Sequence, residues 1–457
     1  MAPPTIRLYD TLSGAIQTLQ PRQGVRVGIY ACGPTTYAPI HIGNARPYVV
    51  FILLRRYLAA LGYEPTLVVN LTDINDKIYA AASAAGTESG AHAEAMIALY
   101  RAETGALGLG RPDHEPKATE AIAAIIALIE ELIGSGHAYA SQGDVYFAVR
   151  SFADYGKLSN RDPAEMDQGE ERGSDEKKRD PLDFALWKAH KPDEDTWWAS
   201  PWGRGRPGWH IECSAMAEGL LGTDFEIHAG GIDLAFPHHE NEIAQTAAAR
   251  GVGPARIWMH NGMIETVDEK MSKSIGNVFA LGEAIERYGA ETVVAFLISG
   301  HYRGPLAFSV AALESIAAAN ERIRDFFRTH PEQDGAARAD PRLERARVDF
   351  EAALAEDFNT PKALAVIYEL IAAANREPIA GAAATLRGLL DLLGLAGLAD
   401  VDERDAADPA AAALLAERES ARAGRNFARA DAIRDELAGL GWEVRDLADG
   451  PRLVRRA

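Results

Sequence analysis

The 457-residue sequence contains only two cysteines, Cys32 and Cys213. Two cysteines cannot form a disulfide framework, so each is either a small buried side chain or a ligand or reactive thiol. The sequence also has no run of 18 apolar residues, and its first ten residues contain no apolar signal segment. We therefore expect a cytoplasmic protein without a membrane partner.

An excess of positive charge is also missing. The formal net charge is -19, from 47 Lys and Arg residues against 66 Asp and Glu residues. This balance argues against a protein wrapped indiscriminately in nucleic acid, but it allows a local basic face. Because 457 residues exceed the size of one compact core, we expect two to four domains.

The first regular pattern is typical of a strand, a helix and a second strand. Residues 25–32 are a short, mostly apolar stretch that predicts a strand. Residues 48–57 predict the continuation of a helix that has Pro47 in its first turn. Residues 66–70 then resemble a buried parallel strand. This order predicts an α/β domain of the Rossmann, nucleotide-binding type.

Polar breaks divide the rest of the chain. Residues 161–181 are dense in charge, Gly and Pro, and they predict a solvated loop. Residues 225–228 predict another strand, which ends in a turn at Gly230 and Gly231. From about Leu313 the pattern is almost wholly helical, with polar breaks near 329–340 and 400–409.

Two distant motifs carry groups that suit a polyphosphate. His41-Ile-Gly-Asn44 lies between a predicted strand and a predicted helix, where unpaired N–H groups and the helix dipole attract phosphate. Lys270-Met-Ser-Lys273-Ser supplies two cations. Taken alone, the first motif is more simply interpreted as a capped turn and the second as a solvated cationic turn.

The two cysteines, a histidine and a glutamate carry donor atoms that zinc accepts. Pro237 is predicted at the start of a helix, which would place His238 and Glu242 at i and i+4 on one face. Because the four positions are scattered along the chain, a zinc site and two buried thiols near a helix cap are equally good interpretations on chemistry alone.

Together the motifs resemble those of cysteinyl-tRNA synthetases, a family of class I aminoacyl-tRNA synthetases. The KMSKS motif is intact at residues 270–274, whereas His41-Ile-Gly-Asn44 departs from the HIGH motif at Asn44. The segments around Cys32 and Cys213 and residues 236–242 also fit, and the resemblance extends over essentially the whole chain.

The resemblance implies an α/β fold with a Rossmann-type catalytic domain at residues 1–312. That domain would contain an insertion at about 115–200 and a KMSKS-bearing connection at about 255–312. A helical tRNA-binding bundle at 313–405 and a small C-terminal anticodon-binding domain at 406–457 would follow.

The implied activity is that of an ATP-dependent cysteine–tRNA ligase. Such an enzyme forms cysteinyl-adenylate and pyrophosphate and then passes cysteine to the 3' end of tRNA(Cys). The implied partners are ATP with Mg²⁺, L-cysteine and tRNA(Cys), and we expect a monomer. One zinc ion per chain would select the substrate, because zinc prefers a thiolate to the neutral hydroxyl of serine.

The resemblance also assigns roles to single residues. Lys77, His210 and His239 are interpreted as structural. The other expected roles are zinc binding by Cys32, Cys213, His238 and Glu242; catalysis by His41, Asn44, Lys270 and Lys273; ATP binding by His41, Gly43, Asn44, His228, Gly230, Asp233 and Lys273; and binding of the amino acid by Thr72 and Trp209.

Near the C-terminus, Arg418, Arg422, Arg425 and Arg429 would form one stripe if a single helix carried them. A solvated face paired with neighbouring carboxylates is an equally good interpretation on chemistry alone. The resemblance implies contact with the anticodon arm of tRNA. Trp442 would either stack on a base or close a small core.

Two other functions fit parts of the pattern. A cysteine ligase acting on an amino-sugar inositol, as in mycothiol synthesis, would share both motifs and the zinc site, but it should lack the tail from Leu313 to Ala457. A non-catalytic tRNA-binding paralogue would be expected to lose His41, Lys273 or a zinc ligand, and none is lost.

Overall fold

The computed structural model describes residues 4–162, 176–266, 279–330, 340–400, 409–447 and 450–455. Among the helices in these ranges, none is both long and apolar enough to cross a membrane.

The first part of the chain supplies two strands of a central sheet and the helices around them. Its elements are β1 (Arg7–Asp10), β2 (Ala15–Thr18), β3 (Arg26–Ala31), α1 (Ile42–Ala60), β4 (Glu64–Val69), α2 (Asp76–Ala85), α3 (Ser89–Gly105) and α4 (Ile122–Gly134). β3 and β4 pair in parallel, as the sequence predicted, and the inner residues Val27 and Ile29 are buried.

A separate antiparallel sheet is inserted after α4. It contains β5 (Ala138–Ser141), β6 (Asp144–Phe147), β7 (Phe184–Ala189), β8 (Trp198–Ser200) and β9 (Gly203–Pro207), in the spatial order β5-β6-β7-β9-β8. Its last strand ends at Pro207, beyond the limit near residue 200 that we expected for the insertion. Most of the predicted loop at 161–181 lies outside the described residues.

The chain then returns to the central sheet. The elements are α5 (Trp209–Leu221), β10 (Phe225–Gly231), α6 (Glu240–Arg250), β11 (Ala255–Asn261) and β12 (Ile264–Thr266). The sheet order is β11-β10-β3-β4, and all neighbouring strands are parallel. β3 therefore has β4 on one side and β10 on the other, which opens a crevice at the carboxyl ends of the strands, where α/β proteins bind ligands.

Of three local predictions, two were wrong. Helix α1 begins at Ile42, so Pro47 lies inside the helix instead of in its first turn, because His41 caps the helix earlier than we expected. Gly230 is still part of strand β10 and not of a turn. The predicted helix start at Pro237 fits the structure, because the only non-helical residue is Phe236 directly before it and the turn at residues 237–239 runs into α6. His238 and Glu242 accordingly lie at i and i+4, with Nε2 and Oε1 3.1 Å apart.

The predicted helical tail is confirmed. It contains α9 (Val310–Thr329), α10 (Pro341–Ala355), α11 (Thr360–Arg376) and α12 (Ala382–Leu392). Before it lie α7 (Leu281–Tyr288), α8 (Ala290–Leu297) and β13 (Leu306–Phe308). β13 pairs in parallel with β12 and lies directly before α9, so it links the start of the helical tail to the part of the chain that contains β12.

The C-terminal unit has a small core of its own. It consists of α13 (Pro409–Ala423), α14 (Phe427–Gly439), β14 (Trp442–Leu447) and β15 (Gly450–Arg455). Trp442 is 3% exposed and packs with Ala411, Ile433, Leu437 and Val444. Trp442 therefore closes this core and is not available to stack on a base.

Candidate active site and metal centre

The four predicted metal ligands meet in one cluster. Cys32 directly follows β3, Cys213 lies in α5, and His238 and Glu242 flank the start of α6. One ligand atom from each residue lies within 4.8 Å of the others. Cys213, His238 and Glu242 are each 1% exposed, whereas Cys32 is partly exposed.

The spacing of the cluster fits a tetrahedral zinc ion. Zinc bonds of about 2.3 Å to sulfur and 2.0–2.2 Å to nitrogen and oxygen require ligand separations of about 3.8 Å for S···S, 3.6 Å for S···O and 3.3 Å for N···O. The observed distances are 3.8 Å between the two Sγ atoms, 3.5 Å from Cys32 Sγ to Glu242 Oε1, and 3.1 Å from His238 Nε2 to Glu242 Oε1. The donor set therefore fits a metal ion.

Burial controls the protonation of these groups. It raises the pKa of Cys32 well above its ordinary value, with Cys213 adding to the effect, and it raises the pKa of Cys213. Burial also lowers the pKa of His238 to about 3. A neutral imidazole is the form that binds metals, so His238 is ready to act as a ligand, whereas the thiols must release protons to a bound ion.

A second layer of histidines surrounds the cluster. His210 Nδ1 lies 2.9 Å from His238 Nδ1, which leaves His238 Nε2 directed at Glu242. His239 Nε2 lies 3.2 Å from Cys32 Sγ, and its Nδ1 lies 2.8 Å from His260 Nε2. Such outer partners fix the tautomer and the orientation of a ligand. The interpretation of His210 and His239 as structural therefore fits their positions, and we did not predict His260.

A competing ligand set shares two members with the predicted one. Cys32, His228, His239 and Glu242 also place donor atoms within 4.8 Å of one another. His228 is fully buried, and its Nε2 lies 2.9 Å from Glu242 Oε2. The predicted set contains two thiols, which bind zinc more strongly than further imidazoles do, and we therefore favour it.

The position of His228 bears on our prediction that it binds ATP. Its ring stacks on Trp258 with 4.3 Å between the ring centroids, and it is fully buried beside Glu242. This environment favours support of the metal cluster over contact with adenosine. Gly230 lies against His239, and a Cβ added at Gly230 would come within 2.9 Å of the His239 ring. Asp233 is exposed and lies shortly after the end of β10.

The His41-Ile-Gly-Asn44 motif forms the start of α1. His41 is the N-cap, and its Nδ1 accepts a hydrogen bond from Asn44 N at 3.3 Å. Asn44 Oδ1 in turn accepts from His41 N at 3.3 Å, which completes a capping box. Because Nδ1 is an acceptor, neutral His41 carries its proton on Nε2 and can donate it to a ligand. Asn44 is exposed.

Gly43 lies against the His41 ring, where an added Cβ would meet Nδ1 at 2.8 Å. A side chain at position 43 would therefore displace the His41 ring from the cap. Lys270 and Lys273, together with the rest of the KMSKS motif, lie outside the described residues.

Of the two residues expected to bind the amino acid, Trp209 contacts a predicted metal ligand. The partly exposed Trp209 starts α5 and stacks on His238 with 4.2 Å between the ring centroids. Thr72 is 1% exposed, and its carbonyl oxygen accepts from Thr36 N at 3.0 Å. Lys77 Nζ lies 5.7 Å from the ring centroid of Tyr37.

The four C-terminal arginines do not form a single helical stripe, so this prediction was wrong. α13 ends at Ala423, and Arg425 occupies the turn before α14 with a left-handed φ of 58°. Arg418 is 5% exposed and pairs with Glu419 at 2.6 Å. Arg429 pairs with Glu417 and with Glu436, each at 2.8 Å. Arg422 and Arg425 are the exposed members.

Three protein families match successive parts of the chain. Residues 18–318 match the tRNA synthetases class I (C) catalytic domain. Residues 349–397 match the DALR domain, and residues 404–450 match the cysteinyl-tRNA ligase anticodon binding domain.

The chain is similar to known proteins over nearly its full length. It is 48% identical to the cysteine–tRNA ligase of Alkalilimnicola ehrlichii, with 98% of each chain covered. It is 47% identical to that of Methylobacillus flagellatus, with 97% of this chain and 98% of the relative covered.

Solved structures resemble it in fold. A leucyl-tRNA synthetase complex from Agrobacterium radiobacter has a TM-score of 0.61 at 14% identity, with 83% of this chain and 85% of that chain covered. Methionyl-tRNA synthetase from Mycobacterium tuberculosis has a TM-score of 0.58 at 15% identity, with 80% and 89% covered. The sequence matches decide the family: this chain belongs to the cysteine–tRNA ligases, which are class I aminoacyl-tRNA synthetases.

Proposed function

We propose that this chain activates L-cysteine with ATP and transfers it to the 3' end of tRNA(Cys), with a zinc ion selecting the substrate thiolate. Cys32, Cys213, His238 and Glu242 would hold the zinc ion. The observation that carries this assignment is the convergence of their four donor atoms within 4.8 Å.

Zinc, when bound, supplies a Lewis acid that takes a thiolate in preference to a neutral hydroxyl. This chemistry answers the need to reject serine, which a pocket of the same size separates only modestly from cysteine. The chain itself contributes the shape of the pocket. Trp209 covers the His238 ring and so shields this side of the cluster from water.

The activation step joins the cysteine carboxylate to the α-phosphate of ATP and releases pyrophosphate. This step requires positioning and stabilisation of charge and needs no general base. The N-terminus of α1 and the Nε2 proton of His41 supply hydrogen-bond donors for phosphate oxygens. Lys270 and Lys273 would supply positive charge, and Mg²⁺ would accompany the phosphates.

The C-terminal match favours tRNA as the acceptor over an amino sugar. Residues 404–450 match an anticodon binding domain, which a ligase acting on an amino-sugar inositol would not require. Retention of His41, Lys273 and all four metal ligands favours an enzyme over a non-catalytic paralogue. The expected monomeric state stays a prediction, which sedimentation of the purified chain checks.

The test is exchange of labelled pyrophosphate into ATP. Zinc-loaded protein should exchange with L-cysteine and not with L-serine, and removal of zinc should abolish the exchange. Equal rates with serine, or exchange without an amino acid, would contradict the proposal. A second measurement offers tRNA(Cys) and glucosaminyl inositol as acceptors, and transfer is expected to tRNA alone.

A further inference from the structure

A buried arginine joins the start of α1 to two segments that are distant in sequence. Arg46 lies in the second turn of α1 and is 1% exposed. Its Nη1 donates to Gly262 O at 2.7 Å and to Gly304 O at 2.8 Å, and its Nη2 donates to His301 O at 3.0 Å. One guanidinium group therefore ties α1 to the residue that follows β11 and to the segment before β13.

The burial of Arg46 is costly for stability. Burial lowers the pKa of Arg46 to about 10, so the side chain is still charged at neutral pH. Its Nε has no hydrogen-bond partner among the residues that the structure describes. Three neutral carbonyl oxygens offset the loss of water less well than a carboxylate would. The planar fork of the guanidinium group, in contrast, fixes the spacing of the segments that it binds.

The two segments that Arg46 binds are also joined to each other. Gly262 N donates to Tyr302 O at 2.8 Å. A Cβ added at Gly262 would lie 2.1 Å from Gly304 O, so only glycine permits this close approach of the two backbones. The pairing continues into β12 and β13. Arg46 thus holds one paired unit against α1.

The helical tail holds the far side of this unit. Asp357 lies between α10 and α11, and its carboxylate accepts from Tyr302 Oη at 2.7 Å and from Arg303 Nε at 2.7 Å. The same carboxylate accepts from Tyr9 N at 2.9 Å. The segment that Arg46 binds is therefore fixed from two directions, which makes it a firm support for α1.

The same unit borders the proposed phosphate site. Ile264 in β12 lies next to Gly43, since a Cβ added at Gly43 would be 3.9 Å from the Cβ of Ile264. Ile42 N, in the first turn of α1, donates to Phe279 O at 3.1 Å. β12 and Phe279 lie on either side of residues 267–278 in the sequence, and these residues include the KMSKS motif. Both flanks of that motif are therefore joined to the start of α1.

We propose that Arg46 is a positioning residue for the activation of the amino acid. The inference rests on the proposed function. By holding Gly262 and residues 301–304 against α1, Arg46 sets the place of β12 beside the helix start that would bind the phosphates of ATP. Because Arg46 is buried, it acts through these backbone contacts and not by contact with ATP. A displacement of about 1 Å in such a site is enough to lower a rate on the order of 10²-fold.

Lysine in place of Arg46 separates positioning from stability. Arg46→Lys keeps the charge but loses the fork that reaches two segments. Single-turnover formation of cysteinyl-adenylate is measured on the zinc-loaded full chain, where the amplitude counts the active sites and the rate constant reports on each of them. Arg55→Lys is the matched control, because Arg55 lies on the same helix and its Nε donates to Asp113 at 2.8 Å.

In Arg46→Lys we expect the rate constant at saturating ATP to fall about 10-fold or more. The Kd for cysteine and the zinc content should stay at those of the wild type. Arg55→Lys should keep the wild-type rate constant even if its urea midpoint falls. A reduced amplitude with an unchanged rate constant would show a purely structural role and overturn the proposal, and so would an equal loss of rate in both variants.

A measurement on the wild type needs no variant and tests the same link. A non-hydrolysable ATP analogue with Mg²⁺ should slow hydrogen exchange at residues 262–266 and 301–306 as well as at residues 41–46. Protection confined to residues 41–46 would overturn the inference, even if Arg46→Lys did not fold. Failure of the proposed function looks different, since the analogue would then protect none of the three segments.

Discussion

The candidate metal centre and the C-terminal arginine group are built in opposite ways. The metal centre gathers three buried side chains, from α5 and the start of α6, and the partly exposed Cys32 that follows β3. The arginine group comes from one stretch of chain in which Arg422 and Arg425 are exposed and Arg418 is buried. Buried donors that converge from distant segments depend on the whole core, whereas exposed charges act singly and are screened by salt. A single substitution should therefore have a large effect in the first region and a small one in the second.

The largest effect is expected at Cys213. Serine in place of Cys213 keeps the size of the side chain but removes a thiolate ligand, so zinc content should fall well below one ion per chain. Cysteine-dependent pyrophosphate exchange should fall on the order of 10³-fold or more. Metal analysis and exchange rates check this.

Ser214→Ala is the control, because Ser214 follows on the same helix and bonds to Gln245 at 2.5 Å. It should retain zinc. If Cys213→Ser keeps its zinc while His228→Asn loses it, the competing ligand set is the correct one.

Acid should destabilise the region around the metal cluster more than the C-terminal unit. Burial lowers the pKa of His210, His238 and His260 to about 3 and that of His239 well below its ordinary value. Between about pH 3 and 6.5 the unfolded chain therefore binds more protons than the folded chain, and the free energy of unfolding falls as pH falls. Each histidine contributes up to about 1.4 kcal/mol per pH unit in this window.

Residues 409–455 contain no histidine, which provides an internal control. Hydrogen exchange, corrected for its intrinsic pH dependence, should show protection of β10 and α6 falling between pH 7 and 5.5 while that of α14 holds. Equal changes in both regions would argue against buried neutral histidines as the cause.

Substitution of the exposed arginines should affect the binding of tRNA and leave the activation of cysteine unchanged. Arg422→Gln and Arg425→Gln should each raise the KM for tRNA a few-fold. The slope of log affinity against log salt should become shallower by about 1 for each phosphate group that the variant no longer binds. Pyrophosphate exchange should not change. Arg26→Gln is the control, because Arg26 is an exposed arginine at the start of β3 and pairs with Glu64 at 3.5 Å. If Arg425→Gln leaves the KM for tRNA unaltered, this turn does not contact tRNA.

The smallest effect is expected at Asn44. Asn44→Ala removes the acceptor of the His41 N–H group and should lower the free energy of unfolding by about 0.5–1 kcal/mol. Asn44→Asp keeps an acceptor and should restore stability, yet it should raise the KM for ATP because it adds negative charge near the phosphates. Urea midpoints and ATP kinetics distinguish the two results. Equal stability of Asn44→Ala and the wild type would contradict the capping role.

Much of the fold could be predicted because apolar runs mark its elements directly. The parallel strands β3 and β4 and the helical tail follow from local patterns. The start of α1 could not be predicted, because it depends on the specific cap that His41 forms with Asn44. The arginine stripe failed for a similar reason, since a turn at Arg425 with φ of 58° divides the helix.

The predicted metal ligands lie in recognisable sequence motifs, but some of the residues that surround them do not. His260 comes from β11 and contacts the cluster through His239, while its Nδ1 lies 2.8 Å from Thr11 Oγ1 in the turn between β1 and β2. Nothing in the local sequence distinguishes such a histidine from an ordinary core residue. The signal that could have found it is the parallel pairing of β10 with β11, which aligns His260 with Gly230.

The central claim is tested most directly by zinc X-ray absorption of the full chain. The account predicts two sulfur ligands and two nitrogen or oxygen ligands in the zinc-loaded protein. It predicts a third sulfur after addition of L-cysteine and no change after addition of L-serine. A single protein sulfur at the metal, or no added sulfur with cysteine, would contradict it.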